Sequence, residues 1–315
     1  MRAMSTVTSP FGALAVIVDP AAGDGSVASQ VTAVQRALEG RRIEHRIHVA
    51  TGRLDVTRSA GLALDEGYRF VAAVGDDATV HDVVNGMFRD GRTIVETPVL
   101  AVLGAGSGGD LLKSFGLPDD VDQAAAHLEG EQTYPFDVMK IAAVGREGDR
   151  VVGYAHNVAE VGLHAAATAA AARLPRRLGN ARRFLGFWSA YARTRALPVT
   201  VTVDGRAREL RTWSVIIGNG QFADGGLRLS PRSFPGDGVL DASIFTGPRS
   251  DAYRLLPRMF RHGDHIPDPG ITELRARLSL QLEPAAPWPV VADGELIGRT
   301  PVAFQVVPRQ ILLKV

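Results

Sequence analysis

Phe70-Val71-Ala72-Ala73-Val74 runs directly into Gly75-Asp76-Asp77-Ala78-Thr79, and the class of fold follows from this junction. Five apolar residues without alternation suit a strand buried on both faces. The glycine and two carboxylates that follow lead into helical spacing from about Val80 to Phe88, so the chain turns from strand to helix here. Such a turn gathers free backbone N–H groups and the positive end of a helix dipole, which suits a phosphate. Asp and Thr are also ordinary helix N-caps, and on five residues both readings stay open.

The same alternation repeats on both sides of the junction. Upstream, Gly12 to Val18 is an apolar run ending in Asp19-Pro20, and Val27 to Leu38 has helical spacing with Ser26 as N-cap. Ile43, Ile47 and Val49 mark a second strand, and Leu54 to Leu64 a second helix. Downstream, Val99 to Leu103 reads as another buried strand. It enters Gly104-Ala105-Gly106-Ser107-Gly108-Gly109-Asp110 and then a short helix ending at Gly116. Glycines at this density permit close backbone approach to a ligand. A βα series of this kind predicts a parallel sheet with ligand loops beyond the strand C-termini. Two such loops after successive strands favour one nucleotide cleft, although neither fits the P-loop or the dinucleotide fingerprint.

After about Thr133 strands dominate: Asp137–Val144, Val151–Val158, Val199–Val203, Thr212–Ile217, Leu240–Phe245, Leu274–Leu282, Pro289–Ala292 and Val302–Val307. Asp204-Gly205 and Asp237-Gly238 are turn signals. Helices are expected near 164–173, 180–195 and 250–262, the Ala165 to Ala172 run reflecting helix propensity. The division predicted is an α/β domain over residues 1–133 and a β-rich domain over 134–315. Asp293-Gly294-Glu295 places two carboxylates on a tight turn, able to hold Mg²⁺ or take a hydroxyl proton; a plain surface turn is the competing reading.

Composition removes whole classes of function. The 315 residues carry 35 basic and 34 acidic side chains, a formal charge of +1, which argues against nucleic acid as a partner. The absence of cysteine excludes thiolate catalysis, Cys-ligated zinc and disulfides. No apolar run reaches membrane-spanning length and Met1 to Phe11 does not read as a signal peptide, so a cytoplasmic protein is expected. Between Arg173 and Arg195, Arg176, Arg177, Arg182, Arg183 and Arg193 interleave with Leu178, Phe184, Leu185, Phe187, Trp188 and Tyr191, without one acidic residue. That pattern suits either peripheral contact with an anionic membrane or a solvated helix face. His81, His156, His164 and His265 show no ligand spacing and read as structural.

At this point the residues carry a resemblance. The chain is similar to the diacylglycerol kinase catalytic-domain family, bacterial lipid kinases related to sphingosine kinases and, more distantly, NAD kinases. The motifs occur in order: Asp19-Pro20 with Gly23 for N-P-x-x-G, Thr51, Gly75 to Thr79 for G-G-D-G-T, Asn85-Gly86, and Gly104 to Asp110 for P-x-G-T-x-N-D. Asn157 with Gly162, Asn219-Gly220, Gly225-Gly226, Pro231, Asp237-Gly238 and Asp293-Gly294-Glu295 complete the series.

The resemblance implies a Rossmann-like, NAD kinase/diacylglycerol kinase-like N-terminal domain followed by a C-terminal β-sandwich domain, with the last strand returning to the first domain. It implies an ATP- and Mg²⁺-dependent lipid kinase acting on the hydroxyl of diacylglycerol or a similar lipid. ATP would lie in the cleft between the domains, on Thr51, Gly75, Asp76, Asp77, Ala78, Thr79, Gly106, Ser107 and Asp110. Glu295 would be the base, with Asp293 and Asp77 assisting, and a structural Mg²⁺ would sit on Asp237 with the backbones of Phe234 and Val239. A lipid substrate, peripheral membrane contact and a homodimer are the expected partners. Asp76, Ala78, Ser107 and Gly109 depart from the motifs. Ala78 in place of a glycine predicts strain if φ is positive there, and Asp76 adds a carboxylate beside the triphosphate. The alternative is a lipid-binding or regulatory member with a degenerate ATP site.

Overall fold

The computed structural model describes residues 9–104, 109–179, 181–223, 225–261 and 263–315, excepting the side chains of Asp24, Arg176, Phe260 and Arg261. Two compact units divide the chain: residues 1–137 with 308–315, and residues 138–307. The fold is mixed α/β, with a Rossmann-like first unit and a sandwich-like second.

The first unit alternates β1 (Leu14–Val18), α1 (Ser26–Gly40), β2 (His45–Val49), α2 (Arg53–Asp65), β3 (Phe70–Gly75), α3 (Asp77–Gly86) and β4 (Val99–Gly104), then α4 (Asp110–Phe115) and α5 (Val121–His127). Its strands are parallel in the order β2–β1–β3–β4, and Leu312 and Leu313 pair alongside Val99 and Leu100. β1, β3 and β4 are buried at every position, because helices cover both faces. Leu14, Val16, Val18, Phe70, Ala72 and Val74 face α1 and α5, while α2 and α3 pack together on the other face. Because β2 and β3 flank β1 on opposite sides, the chain reverses direction across the sheet between β1 and β3. That reversal opens a crevice beyond the C-termini of those strands, the usual ligand position of an open α/β sheet. The backbone N–H of Asp19 donates to Val74 O at 3.1 Å and closes the crevice floor.

The second unit opens with β5 (Thr133–Val144), β6 (Arg150–Ala155), β7 (Val158–Gly162), α6 (Leu163–Ala172) and α7 (Ala181–Arg193). It continues with β8 (Leu197–Val203), β9 (Arg206–Thr212), β10 (Ser214–Gly218), β11 (Leu240–Phe245), α8 (Asp251–Arg261), β12 (Ile271–Ala276), β13 (Ser279–Pro284), β14 (Pro289–Ala292) and β15 (Glu295–Lys314). One antiparallel run is ordered β12–β11–β10–β7–β14–β15, and a second leads from β15 through β13 and β8 to β9. Side chains of both runs share one core, including Met139, Val201, Val215, Leu240, Leu280, Val290 and Phe304. α6, α7 and α8 cover an outer face around Trp213, Phe245 and Leu255.

Three local expectations are corrected and a fourth is extended. Ser26 does not cap α1; Gly25 does, at φ +88° and without a side-chain bond. The strand expected over Val151–Val158 is two, because the backbone N–H groups of His156, Asn157 and Val158 turn onto the Asp293 carboxylate. The run Leu274–Leu282 breaks likewise where Arg277, Leu278 and Ser279 donate to Asp204. The alanines of α6 do more than favour helix: a Cβ on Gly186 of α7 would lie 2.7 Å from Ala167 O, so small residues set the close α6–α7 approach.

Candidate functional site

The phosphate-type turn stands at the sheet reversal. Gly75 ends β3, and a Cβ there would fall 2.1 Å from Thr79 Oγ1, so only glycine fits. Asp76 is the N-cap of α3, with φ −92° and ψ −175°, and accepts from Thr79 N at 3.1 Å and Thr79 Oγ1 at 3.2 Å. Ala78 lies inside α3 and is not among the residues of positive φ. The strain expected at Ala78 is therefore absent, because the helix begins one residue earlier than a glycine-dependent loop would require.

Asp77 reaches forward to the next loop. Its Oδ1 accepts from Asp110 N at 2.8 Å and Leu111 N at 3.4 Å, which caps α4 and ties the β3 and β4 turns together. Asp110 itself is buried and pairs with Lys113 at 3.4 Å. Gly109 holds φ +63°, and a Cβ there would meet Asp119 Oδ1 at 2.9 Å. Thr51 follows β2 at the same sheet edge; its N–H and Oγ1 donate to Asp55 Oδ2 at 2.9 and 3.2 Å. Gly75 thus closes its strand, and Thr51, Asp76, Asp77, Ala78, Thr79 and Asp110 lie in turns or first helical turns that follow strands of one sheet at its C-terminal edge. Gly106 and Ser107 lie outside the described residues.

In the second unit, Asp293 and Gly294 form the two-residue turn between β14 and β15, at φ +49° and +82°. The Asp293 carboxylate accepts from the N–H groups of His156, Asn157 and Val158 at 2.9, 3.0 and 3.1 Å, and His156 Nδ1 lies 2.9 Å from Oδ2. Both Asp293 oxygens are engaged in fixing the hairpin that presents Glu295, which is half-buried. Glu295 lines a pocket with Arg146, Glu147, Asp149 and Val151.

At the other proposed cation position, Asp237 Oδ1 accepts from Val239 N at 3.0 Å and Asp237 N faces Phe234 O at 3.4 Å. Arg275 sits 3.3 Å from Asp237 and 3.0 Å from Asp241. A guanidinium therefore already pairs with both carboxylates, and a divalent ion on Asp237, Phe234 and Val239 would compete with it. By contrast, Asp76, Asp77 and Thr79 offer the hard oxygen donors that Mg²⁺ prefers.

Sequence reasoning missed several supports. Arg53 forms a bidentate pair with Asp82 at 2.7 and 2.8 Å, clamping α2 to α3 behind the turn, and nothing in the 29-residue spacing announces it. Arg275 was equally invisible. Asn157, inside a recognised motif, is buried with neither amide atom paired to the described residues.

Residues 13–141 match the diacylglycerol kinase catalytic domain model, and residues 157–315 match the YegS C-terminal NAD kinase beta sandwich-like domain. A diacylglycerol kinase from Mycobacterium tuberculosis is 23% identical over 302 residues, covering 95% of this chain and 93% of its own. A diacylglycerol kinase from Bacillus subtilis is 23% identical, covering 92% and 91%. The crystal structure of a diacylglycerol kinase from Bacillus anthracis superposes with a TM-score of 0.69 at 20% identity, covering 98% of each chain. Yeast NADH kinase shares the fold at a TM-score of 0.50 and 10% identity, covering 96% and 82%.

Proposed function

Because the chain belongs to the diacylglycerol kinase catalytic-domain family, with a C-terminal domain of the YegS type, we propose that it transfers the γ-phosphoryl of ATP to the hydroxyl of diacylglycerol or a similar lipid. One observation carries the reading: two strand-to-helix turns at the sheet reversal are locked together by Asp77 on the N–H groups of Asp110 and Leu111. Phosphoryl transfer asks little covalent chemistry of the protein and much positioning. Asp76 fixes Thr79, Asp77 fixes the second turn, and the N-terminus of α3 supplies the favourable dipole end. Mg²⁺, when bound with the nucleotide on the Asp76, Asp77 and Thr79 oxygens, supplies neutralisation of phosphate charge.

Glu295 takes the acceptor proton in this reading, and Asp293 is the positioning residue that holds its hairpin on three backbone N–H groups. Arg177, Arg183, Phe184 and Leu185 give α7 and its approach an exposed basic and apolar face, which supports peripheral contact with an anionic membrane. No helix among the described residues is long and apolar enough to cross one.

The test is γ-labelled ATP with mixed lipid extracts. Label should enter the organic phase only with Mg²⁺, and Glu295→Gln should lower turnover by roughly 10²- to 10⁴-fold with melting unchanged. Label confined to water-soluble products rejects a lipid acceptor. The second reading, a lipid-binding member without kinase activity, is favoured by the carboxylate that Asp76 adds to the turn. Absence of Mg·ATP binding by calorimetry selects it.

A further inference from the structure

α6, α7, the turn after β5 and the β14–β15 hairpin border a half-open cavity of about 630 Å³ within the second unit, the size of a small-molecule site. Its floor is apolar, made by Ala166, Ala169, Ala170, Ala190, Pro289 and Leu296. Four arginines, Arg146, Arg173, Arg193 and Arg299, also line it, and no acidic side chain does. None of the four guanidiniums hydrogen-bonds or pairs with a carboxylate among the described residues. Elsewhere in the second unit Arg254 and Arg258 pair with Asp268, Arg232 with Glu273, and Arg275 with Asp237 and Asp241, while Arg206 and Arg208 are exposed on β9; what sets the four apart is that they line one cleft together. All four arginines are exposed, so an anionic head group can reach them from solvent and take charge-assisted hydrogen bonds while hydrocarbon covers the apolar floor.

We propose that this cavity binds an anionic amphiphile, its hydrocarbon on the Ala, Pro and Leu floor and its phosphate or carboxylate head on Arg146, Arg173, Arg193 and Arg299. The pocket that holds Glu295 shares Gly145, Arg146, Leu296 and Gly298 with it. On the lipid-kinase reading, on which this last step rests, the bound amphiphile is the acceptor and its hydroxyl is offered to Glu295. The arginines then select a charged acceptor over a neutral one.

The test uses the full chain without nucleotide, so that it does not depend on transfer. Calorimetry compares dodecyl phosphate below its micelle concentration, monododecanoylglycerol and inorganic phosphate. Dodecyl phosphate should bind at one site at least tenfold tighter than the neutral amphiphile, and inorganic phosphate far more weakly than either. Arg173→Gln with Arg193→Gln should remove the charge preference while neutral binding stays, and Ala169→Phe should weaken both amphiphiles by filling the floor. If the double variant melts early, Arg299→Gln alone should halve the preference or more. Equal affinity for the charged and neutral amphiphiles overturns the proposal, and so does inorganic phosphate binding as tightly as dodecyl phosphate or a charge preference that survives the arginine changes. Binding as expected with no phosphoryl transfer to any amphiphile would reject the kinase reading and leave the cavity assignment standing.

Discussion

Asp76 occupies a position where the family motif carries glycine, and its geometry shows why the protein keeps it. At φ −92° it needs no glycine, and its carboxylate caps α3 through Thr79. Restoring the motif with Asp76→Gly and Ala78→Gly should therefore cost stability, about 1 kcal/mol from the weakened cap and the helical glycine together. Asp76→Asn keeps a cap acceptor and removes the charge, so melting should hold while Mg·ATP affinity falls with the loss of a carboxylate donor to the cation. Calorimetry and thermal denaturation of the two variants separate these outcomes, and an unchanged or raised affinity for Asp76→Asn would show that the carboxylate does not serve the nucleotide complex. Asp293 is a sharper case, because three buried N–H groups depend on it. Asp293→Ala should lose about 3 kcal/mol or more, since each orphaned donor carries its own desolvation cost. Asp293→Asn, which tolerates the left-handed backbone at φ +49°, should lose less, as chemical denaturation can measure.

At the scale of elements, the parallel sheet was legible because β1, β3 and β4 are uninterrupted apolar runs, and apolar runs are what burial on both faces writes into sequence. The breaks were not. His156-Asn157 and Arg277-Leu278 interrupt strands only because Asp293 and Asp204, 136 and 73 positions away, collect their N–H groups. β9 escaped notice because Arg206–Thr212 is an exposed strand made largely of charged residues, held by pairing with β8 rather than by burial. Helix packing was half visible: Asn85-Gly86 stood out as a motif, yet its reason is that a Cβ on Gly86 would lie 2.2 Å from Thr57 O of α2. Gly86→Ala should accordingly push α2 from α3 and cost about 1–3 kcal/mol, with thermal melting as the measure. α7 makes its own prediction. Phe184 is 63% exposed and Leu185 47%, so binding to anionic vesicles should weaken as salt shortens the Debye length from about 10 Å to about 3 Å. Equal binding to neutral and anionic vesicles would assign that face to solvent instead.

For the molecule as a whole, the ordered motifs made the candidate site readable, whereas the charge pattern around the cavity was not, since Arg146 and Arg299 lie far from the Arg173–Arg195 cluster in sequence. The same is true of the acid sensitivity that two buried histidines of the second unit confer. His164 is buried, stacks on Trp213 at 6.1 Å and meets Ser214 Oγ at 2.7 Å. Burial first, and then the nearby His265, push its pKa down to about 4. His265, buried against Leu229 O, is also pushed down to about 4, chiefly by burial. Between pH 6.5 and 4 the unfolded chain therefore binds protons that the folded chain does not, and stability must fall as pH falls through that window. At pH 5 the loss relative to neutral pH is roughly 2 kcal/mol for each histidine. Asp268 adds a second step. Its hydrogen bond to Arg254 holds its carboxyl well below the usual range, a contribution complete above pH ~4 and lost below it. All these groups belong to residues 138–307, and so do the three tryptophans, Trp188, Trp213 and Trp288. Tryptophan emission thus reports the acid-sensitive unit by itself: its denaturant midpoint should drop steadily from pH 7 to 4.5. His164→Asn should reduce that slope by about half, because one of the two histidines pushed down to about 4 is gone. A midpoint independent of pH over this range would mean that both histidines reach protons without unfolding, and that their burial does not couple to the stability of the sandwich.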